Sequence, residues 1–109
     1  MQGGPKVITI LFNVTGKEGK GQDCYDLAVR LTEVTRTEDD GCLTYFFHQG
    51  QDNPMEYVLY EQWRDREALD AHMAHLEALL GPPNPGGRLP AALLDLCEST
   101  QPIFYDVVA

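Results

Sequence analysis

Positive charge is scarce in this chain: 8 lysines and arginines stand against 17 aspartates and glutamates, for a formal net charge of -9. A surface that acidic repels phosphate backbones and anionic headgroups, which argues against nucleic acid or a membrane surface as a partner. A neutral or aromatic small molecule fits better. Long hydrophobic runs are missing as well. The amino-terminal stretch MQGGPKVITILFNVTG carries an apolar run that ends at Val14 with Asn13 inside it, and no small-residue cleavage site follows. It reads as neither a signal peptide nor a membrane span. Cysteine is sparse and unpaired in pattern: Cys24, Cys42 and Cys97 are odd in number and form no CxxC. They read as reduced thiols of a cytoplasmic protein, not as disulfides or metal ligands. Internal repeats are absent, and GPPNPGG is the only low-complexity stretch.

The 109 residues, 43% hydrophobic and 23% charged, suit one ordinary globular domain spanning 1–109. Val7 to Thr15 is β-branched and aromatic, and stops at Gly16, so it is the first strand. After the loop GKEGKGQ, the apolar positions Cys24, Leu27, Ala28, Leu31 and Val34 recur at helical spacing. Asp23 is the expected N-cap, and the acidic run Glu38, Asp39, Asp40 should end the helix near Thr37, with a turn at Gly41. Cys42 to Gln49 and Glu56 to Trp63 are two strands joined by the turn formers of GQDNP. Asp65 caps a second helix to about Leu80, Arg88 to Cys97 reads as a shorter helix, and Ile103 to Val108 is the expected last strand. The order is that of the ferredoxin-like βαββαβ fold, an α+β domain with a four-stranded antiparallel sheet and helices on one face.

That fold leaves a surplus of apolar surface. In the first strand Ile8, Ile10, Phe12 and Val14 share one face, but Val7 and Leu11 occupy the other, and CLTYFF and YVLY are similarly two-sided. A sheet with one open face should alternate cleanly. The economical cover for the second face is the same face of another copy, so a homodimer is expected.

Two histidines, His72 and His75, stand three residues apart on the second helix. At about 100° per residue, with Leu69 as origin, Met73, Leu76 and Leu80 fall within about 40°, His72 about 60° to one side and His75 about 120° away. His72 should lean between helix and sheet, and His75 should face solvent or a boundary. A metal site needs three or four ligands, and no further His or Cys lies at fitting spacing, so no metal is expected. By the strand period of two, Tyr57, Leu59, Glu61 and Trp63 share a face. If helices cover it, a carboxylate, an indole and an imidazole meet in an apolar corner. Such a corner can move acid–base groups toward neutrality, though core packing explains the same residues. Asn13 and Tyr45 are weaker candidates for holding substrate oxygens.

The run Gly41 to His72, with Gly41-Cys42-Leu43 and Tyr45, then Val58-Leu59-Tyr60-Glu61 and Trp63, then Glu67-Ala68-Leu69 and His72, resembles the antibiotic biosynthesis monooxygenase family of dimeric α/β-barrel proteins. Tyr57 stands where that family has Phe. The resemblance implies a cofactor-independent oxygenase acting with O2 on an aromatic phenol or quinol. His72 would be the base, Glu61 its orienting or acidic partner, and Trp63 a pocket wall stacking on the substrate. Isomerases of small phosphorylated metabolites share the fold, and a non-catalytic binding dimer is a further alternative. The haem-degrading branch is the least similar: it carries Trp where this chain has His72, and its haem ligand would fall at Pro82.

Overall fold

A computed structural model describes residues 6–109. The first five residues of the amino-terminal stretch read above lie outside them. The elements are β1 (Ile8–Gly16), α1 (Gly21–Glu38), β2 (Cys42–Gln49), β3 (Glu56–Trp63), α2 (Arg66–Leu80), α3 (Ala91–Leu94) and β4 (Cys97–Tyr105). All pairings are antiparallel, in the sheet order β2-β3-β1-β4. This is the expected ferredoxin-like arrangement.

Register decides which side chains meet. Ile10 lies opposite Glu61 and Phe12 opposite Leu59, while Tyr45 lies opposite Glu61 and Phe47 opposite Leu59. One face of the three strands therefore presents Ile10, Phe12, Tyr45, Leu59, Glu61 and Trp63. Its apolar members join Leu31, Leu69, Leu76 and Leu93 of the helices in one core. Burial along β3 alternates strictly, as a period of two requires. Leu31 is only 1% exposed, and burying a leucine so fully contributes about 2 kcal/mol.

Three elements differ from expectation in their limits. Helix α1 begins at Gly21, inside the glycine-rich segment, with Lys20 at the cap and no side-chain cap bond. Asp23 sits in the first turn instead, where its charge suits the positive helix end. Helix α3 is one turn only, with Pro90 as its N-cap. The last strand starts at Cys97, not Ile103, and stops at Tyr105. β4 is an edge strand and mostly exposed, so Glu98, Ser99 and Gln101 are tolerated and mask the strand pattern. Pro102 is acceptable there because an edge leaves some N–H groups unpaired. The other strands and α2 lie within a residue of their expected limits.

Candidate active site

The site begins at a turn. Helix α1 ends at Glu38 with Asp39 as its C-cap, whose N–H donates to the Thr35 carbonyl at 3.0 Å, and the chain reverses through Gly41 at φ 80°. A Cβ on Gly41 would lie 2.5 Å from the Ala68 Cβ, so only glycine lets this turn approach the first turn of α2 so closely. The Arg64 N–H donates to the Gly41 carbonyl at 2.8 Å and fastens the turn to the β3–α2 junction. At that junction Asp65 caps α2, accepting from the Ala68 N–H at 2.9 Å. The docked turn delivers the Asp39 carboxylate to α2 one helical turn further along.

There it meets both histidines. His72 Nδ1 lies 2.6 Å from Asp39 Oδ2, and His75 Nδ1 lies 2.5 Å from Asp39 Oδ1. Residues three apart on a helix are neighbours, so one carboxylate can hold both rings. Among the described residues no group of three or more His, Cys, Asp or Glu is arranged to hold a metal ion. The Asp39 side chain is 8% exposed, that of His72 2% and that of His75 26%. His75 is thus at the boundary, as its helical position indicates, and His72 is buried.

Glu61 is not the partner of His72. Its Oε1 accepts from the Trp63 indole N–H at 2.7 Å. The indole is buried and its donor needs an acceptor, and Glu61 two residues along the same strand face supplies it. The Trp63 ring in turn lies against His72, with centroids 4.4 Å apart and planes tilted by 32°. Tyr45 closes the group, edge-on to His72 at 5.4 Å and to Trp63 at 6.3 Å. Its hydroxyl pairs with the side chain of Thr35.

Electrostatics follow burial. Loss of solvent raises the Glu61 carboxyl to about 7, and the indole hydrogen bond only partly offsets this. Burial likewise holds His72 below the usual histidine range, more strongly than the Asp39 carboxylate raises it. Near neutral pH His72 is therefore mostly uncharged. Because Asp39 accepts at its Nδ1, the proton sits there and Nε2 carries the lone pair. The Tyr45 phenol is pushed up by burial, well above any working pH.

The structure brings His72, Glu61, Trp63 and Tyr45 together and leaves Asn13 out. Asn13 pairs with Val58 and Gln101 on the other face of the sheet, where its amide reaches the Gln101 carbonyl at 3.5 Å. Asp39 is the residue that sequence reasoning missed. Its acidic run marked a helix end, but nothing local tied it to histidines 33 and 36 residues away.

The corner itself is filled. Trp63 is 0% exposed and Tyr45 1%, and Met73 packs against the same core. A cavity of about 40 Å³ lies further along the same face, lined by Phe12, Leu27, Leu31, Phe47, Tyr57 and Leu93 among others. Phe47 links it to the corner, its ring 5.9 Å from that of Tyr45.

A four-stranded sheet whose covered face carries a buried carboxyl and an indole, with an imidazole of α2 laid against them, defines a ferredoxin-like protein with an acid–base cluster under its helices. The family model for antibiotic biosynthesis monooxygenase matches residues 7–79, and the chain belongs to that family. An uncharacterized protein of Synechocystis, sll1783, is 29% identical over 72 residues, covering 66% of this chain and 48% of that protein. The chain thus spans about half the length of the curated relative it matches. Among solved structures, PA3566 of Pseudomonas aeruginosa superposes with a TM-score of 0.77 at 22% identity, covering 99% of this chain and 100% of that one. Rv0793 of Mycobacterium tuberculosis gives 0.77 at 20% identity, covering 94% and 96%. A structure of an antibiotic biosynthesis monooxygenase gives 0.73 at 24% identity, covering 94% and 99%. At these identities the likeness establishes the fold alone.

Proposed function

We propose that the chain is a monooxygenase that works without metal or flavin on a small aromatic phenol or quinol. The observation that carries this reading is the buried His72, uncharged and with its Nδ1 proton committed to Asp39, beside a Glu61 carboxyl that titrates near neutrality. The family membership and the apolar, aromatic-lined cavity support the substrate class. His72 Nε2 takes the acidic proton of the substrate. The resulting carbanion or phenolate gives one electron to O2, and the substrate radical and superoxide combine to a peroxide. Protonated Glu61 gives its proton to the peroxide. The remaining hydrogen of the peroxide-bearing carbon passes as a proton to the Glu61 carboxylate as the O–O bond breaks, and the proton held by His72 turns the departing hydroxide into water. In the keto form of the phenol, one O2 thus converts a ring CH2 to C=O and releases one H2O. Trp63, stacked on His72 and bonded to Glu61, holds the acid and the base in place. Tyr45 walls the corner, and Asn13 has no part in this reading.

A cavity of about 40 Å³ holds little more than a water molecule or two, whereas small-molecule sites usually run from about 300 Å³ upward. Substrate entry to His72 therefore requires the helices, α2 included, to move outward over the sheet. The filled corner favours a second reading, a non-catalytic dimer in which Trp63 and Met73 are simply core. In either reading the free sheet face pairs with a second copy of the chain.

Oxygen uptake with hydroquinone and anthrone-type substrates in the presence of a chelator separates them. The expected result is uptake above background, falling about 10²- to 10⁴-fold in His72→Ala, the range for a lost general base. No uptake with any substrate, or an unchanged rate in the variant, overturns the oxygenase reading. Turnover that persists without oxygen identifies an isomerase instead.

A further inference from the structure

Asp39 accepts from two imidazoles, not one, and only one of them belongs to the proposed reaction. His72 Nδ1 is bound at Oδ2 and His75 Nδ1 at Oδ1, so the two rings compete for a single negative charge. His75 also has its Nε2 3.7 Å from Glu38 Oε1, at the solvent boundary, so it can exchange protons with water while His72 cannot do so directly. We propose that His75 is a positioning residue that governs, through Asp39, whether His72 is available as a base.

The physical basis is charge sharing. When His75 is neutral, the full charge of Asp39 faces His72 and favours a proton arriving at its Nε2. When His75 is charged it offsets Asp39, and a positive charge on His72 is opposed by its neighbour. The two rings therefore bind protons against one another, and the cluster carries one extra proton more readily than two. In turnover the proton taken by His72 Nε2 raises the charge of the cluster by one. A charged His75 can meanwhile give its proton to water and regain it once His72 has passed its Nε2 proton to the departing hydroxide, with the Nδ1 hydrogen of His72 staying on the bond to Asp39 throughout.

Other groups around His72 do not duplicate this role. From β2, the Tyr45 phenol and the Cys42 thiol are both raised by burial and stay uncharged. From β3, Glu61 is engaged by Trp63. From the end of α1, Glu38 faces His75 and not His72, and Asp40 is held by the exposed Arg64 at 3.5 Å. Among the described residues His75 is the second imidazole bound to the Asp39 carboxylate.

The significance for the rate rests on the oxygenase reading, but the coupling itself does not, so it is tested on the resting protein. The imidazole carbon and nitrogen resonances of His72 are followed from pH 4.5 to 9 in the native protein, His75→Gln and Asp39→Asn. The expected result is a broad, two-step titration of His72 in the native protein. In His75→Gln it becomes a single-site curve with its midpoint about one pH unit higher, the scale at which coupled sites separate. Asp39→Asn shifts the midpoint down. If Asp39→Asn does not fold, the His75→Gln comparison decides alone, because that side chain is partly exposed. The same His72 titration in native and His75→Gln proteins overturns the proposal, whatever the oxygen-uptake assay gives. With an active substrate, the acid limb of the kcat profile moves up by the same amount in His75→Gln.

Discussion

Glu61 sits on the covered side of β3, 6% exposed, with a single hydrogen bond to set against the loss of water around its charge. Its carboxyl is raised from 4.5 to about 7, so the folded protein holds a proton there that the unfolded chain releases. Between those two values stability falls as pH rises, by up to about 3 kcal/mol in all. His72 acts in the opposite sense: its lowered proton affinity means that stability is lost as pH falls below the ordinary histidine range. Glu61→Gln keeps an oxygen for the Trp63 indole and removes the charge. We expect its melting temperature to exceed that of the native protein at pH 8 and to match it near pH 4.5, leaving only the His72 slope in between. A native melting temperature that does not fall between pH 5 and 8 relative to the variant refutes this account of Glu61. At this scale the sequence was partly legible. The shared parity of Glu61 and Trp63 and the inward lean of His72 were open to reading, because strand and helix periods fix side-chain direction. The Asp39 contact was not, because it depends on how a turn docks.

That docking belongs to the element scale, and Gly41 controls it. The glycine combines a left-handed backbone with a 2.5 Å approach to Ala68, so a side chain there meets both strain and collision. Gly19 offers an internal control, since it has the same kind of backbone at φ 82° with nothing within 4 Å. Gly19→Ala should cost about 1 kcal/mol, the strain alone. Gly41→Ala should cost clearly more, about 2 kcal/mol or above, and should also loosen the Asp39 contacts. Urea unfolding midpoints of the two variants measure the difference, and equal losses exclude a docking role for the turn. The same scale shows what patterning conveys about elements. The hairpin β2–β3 and helix α2 were legible to the residue because their caps and turn formers are local: Asp65 binds the Ala68 N–H and Asn53 binds the Met55 N–H. β4 was legible only in part, because an exposed edge strand is free to carry polar residues and a proline. Helix α1 was misplaced at its start because its cap uses no side chain at all.

At the scale of the whole molecule, the sheet's free face is the feature that the fold leaves without a partner. Leu11 lies at its centre, between Tyr60 on β3 and Ile103 on β4. Phe46 is 43% exposed and Tyr105 46%, and the Arg36 guanidinium of α1 lies over the Phe46 ring, 4.3 Å from its centroid. That contact is cation–π in kind and leaves the face open. An apolar face of this kind is usually covered by another chain, and the face of a second copy, related by a two-fold axis, matches it in size and chemistry. Leu11→Glu puts a charge at the middle of that face while leaving the helix-covered core untouched. If the face is the dimer interface, the variant should sediment as a monomer with native circular dichroism, whereas the native chain sediments at twice that mass. Both proteins running at one mass would show that the face is not where copies meet. Because the cluster of Asp39, His72 and Glu61 lies wholly on the opposite side of the sheet within one chain, the monomeric variant should also keep the His72 titration of the native protein.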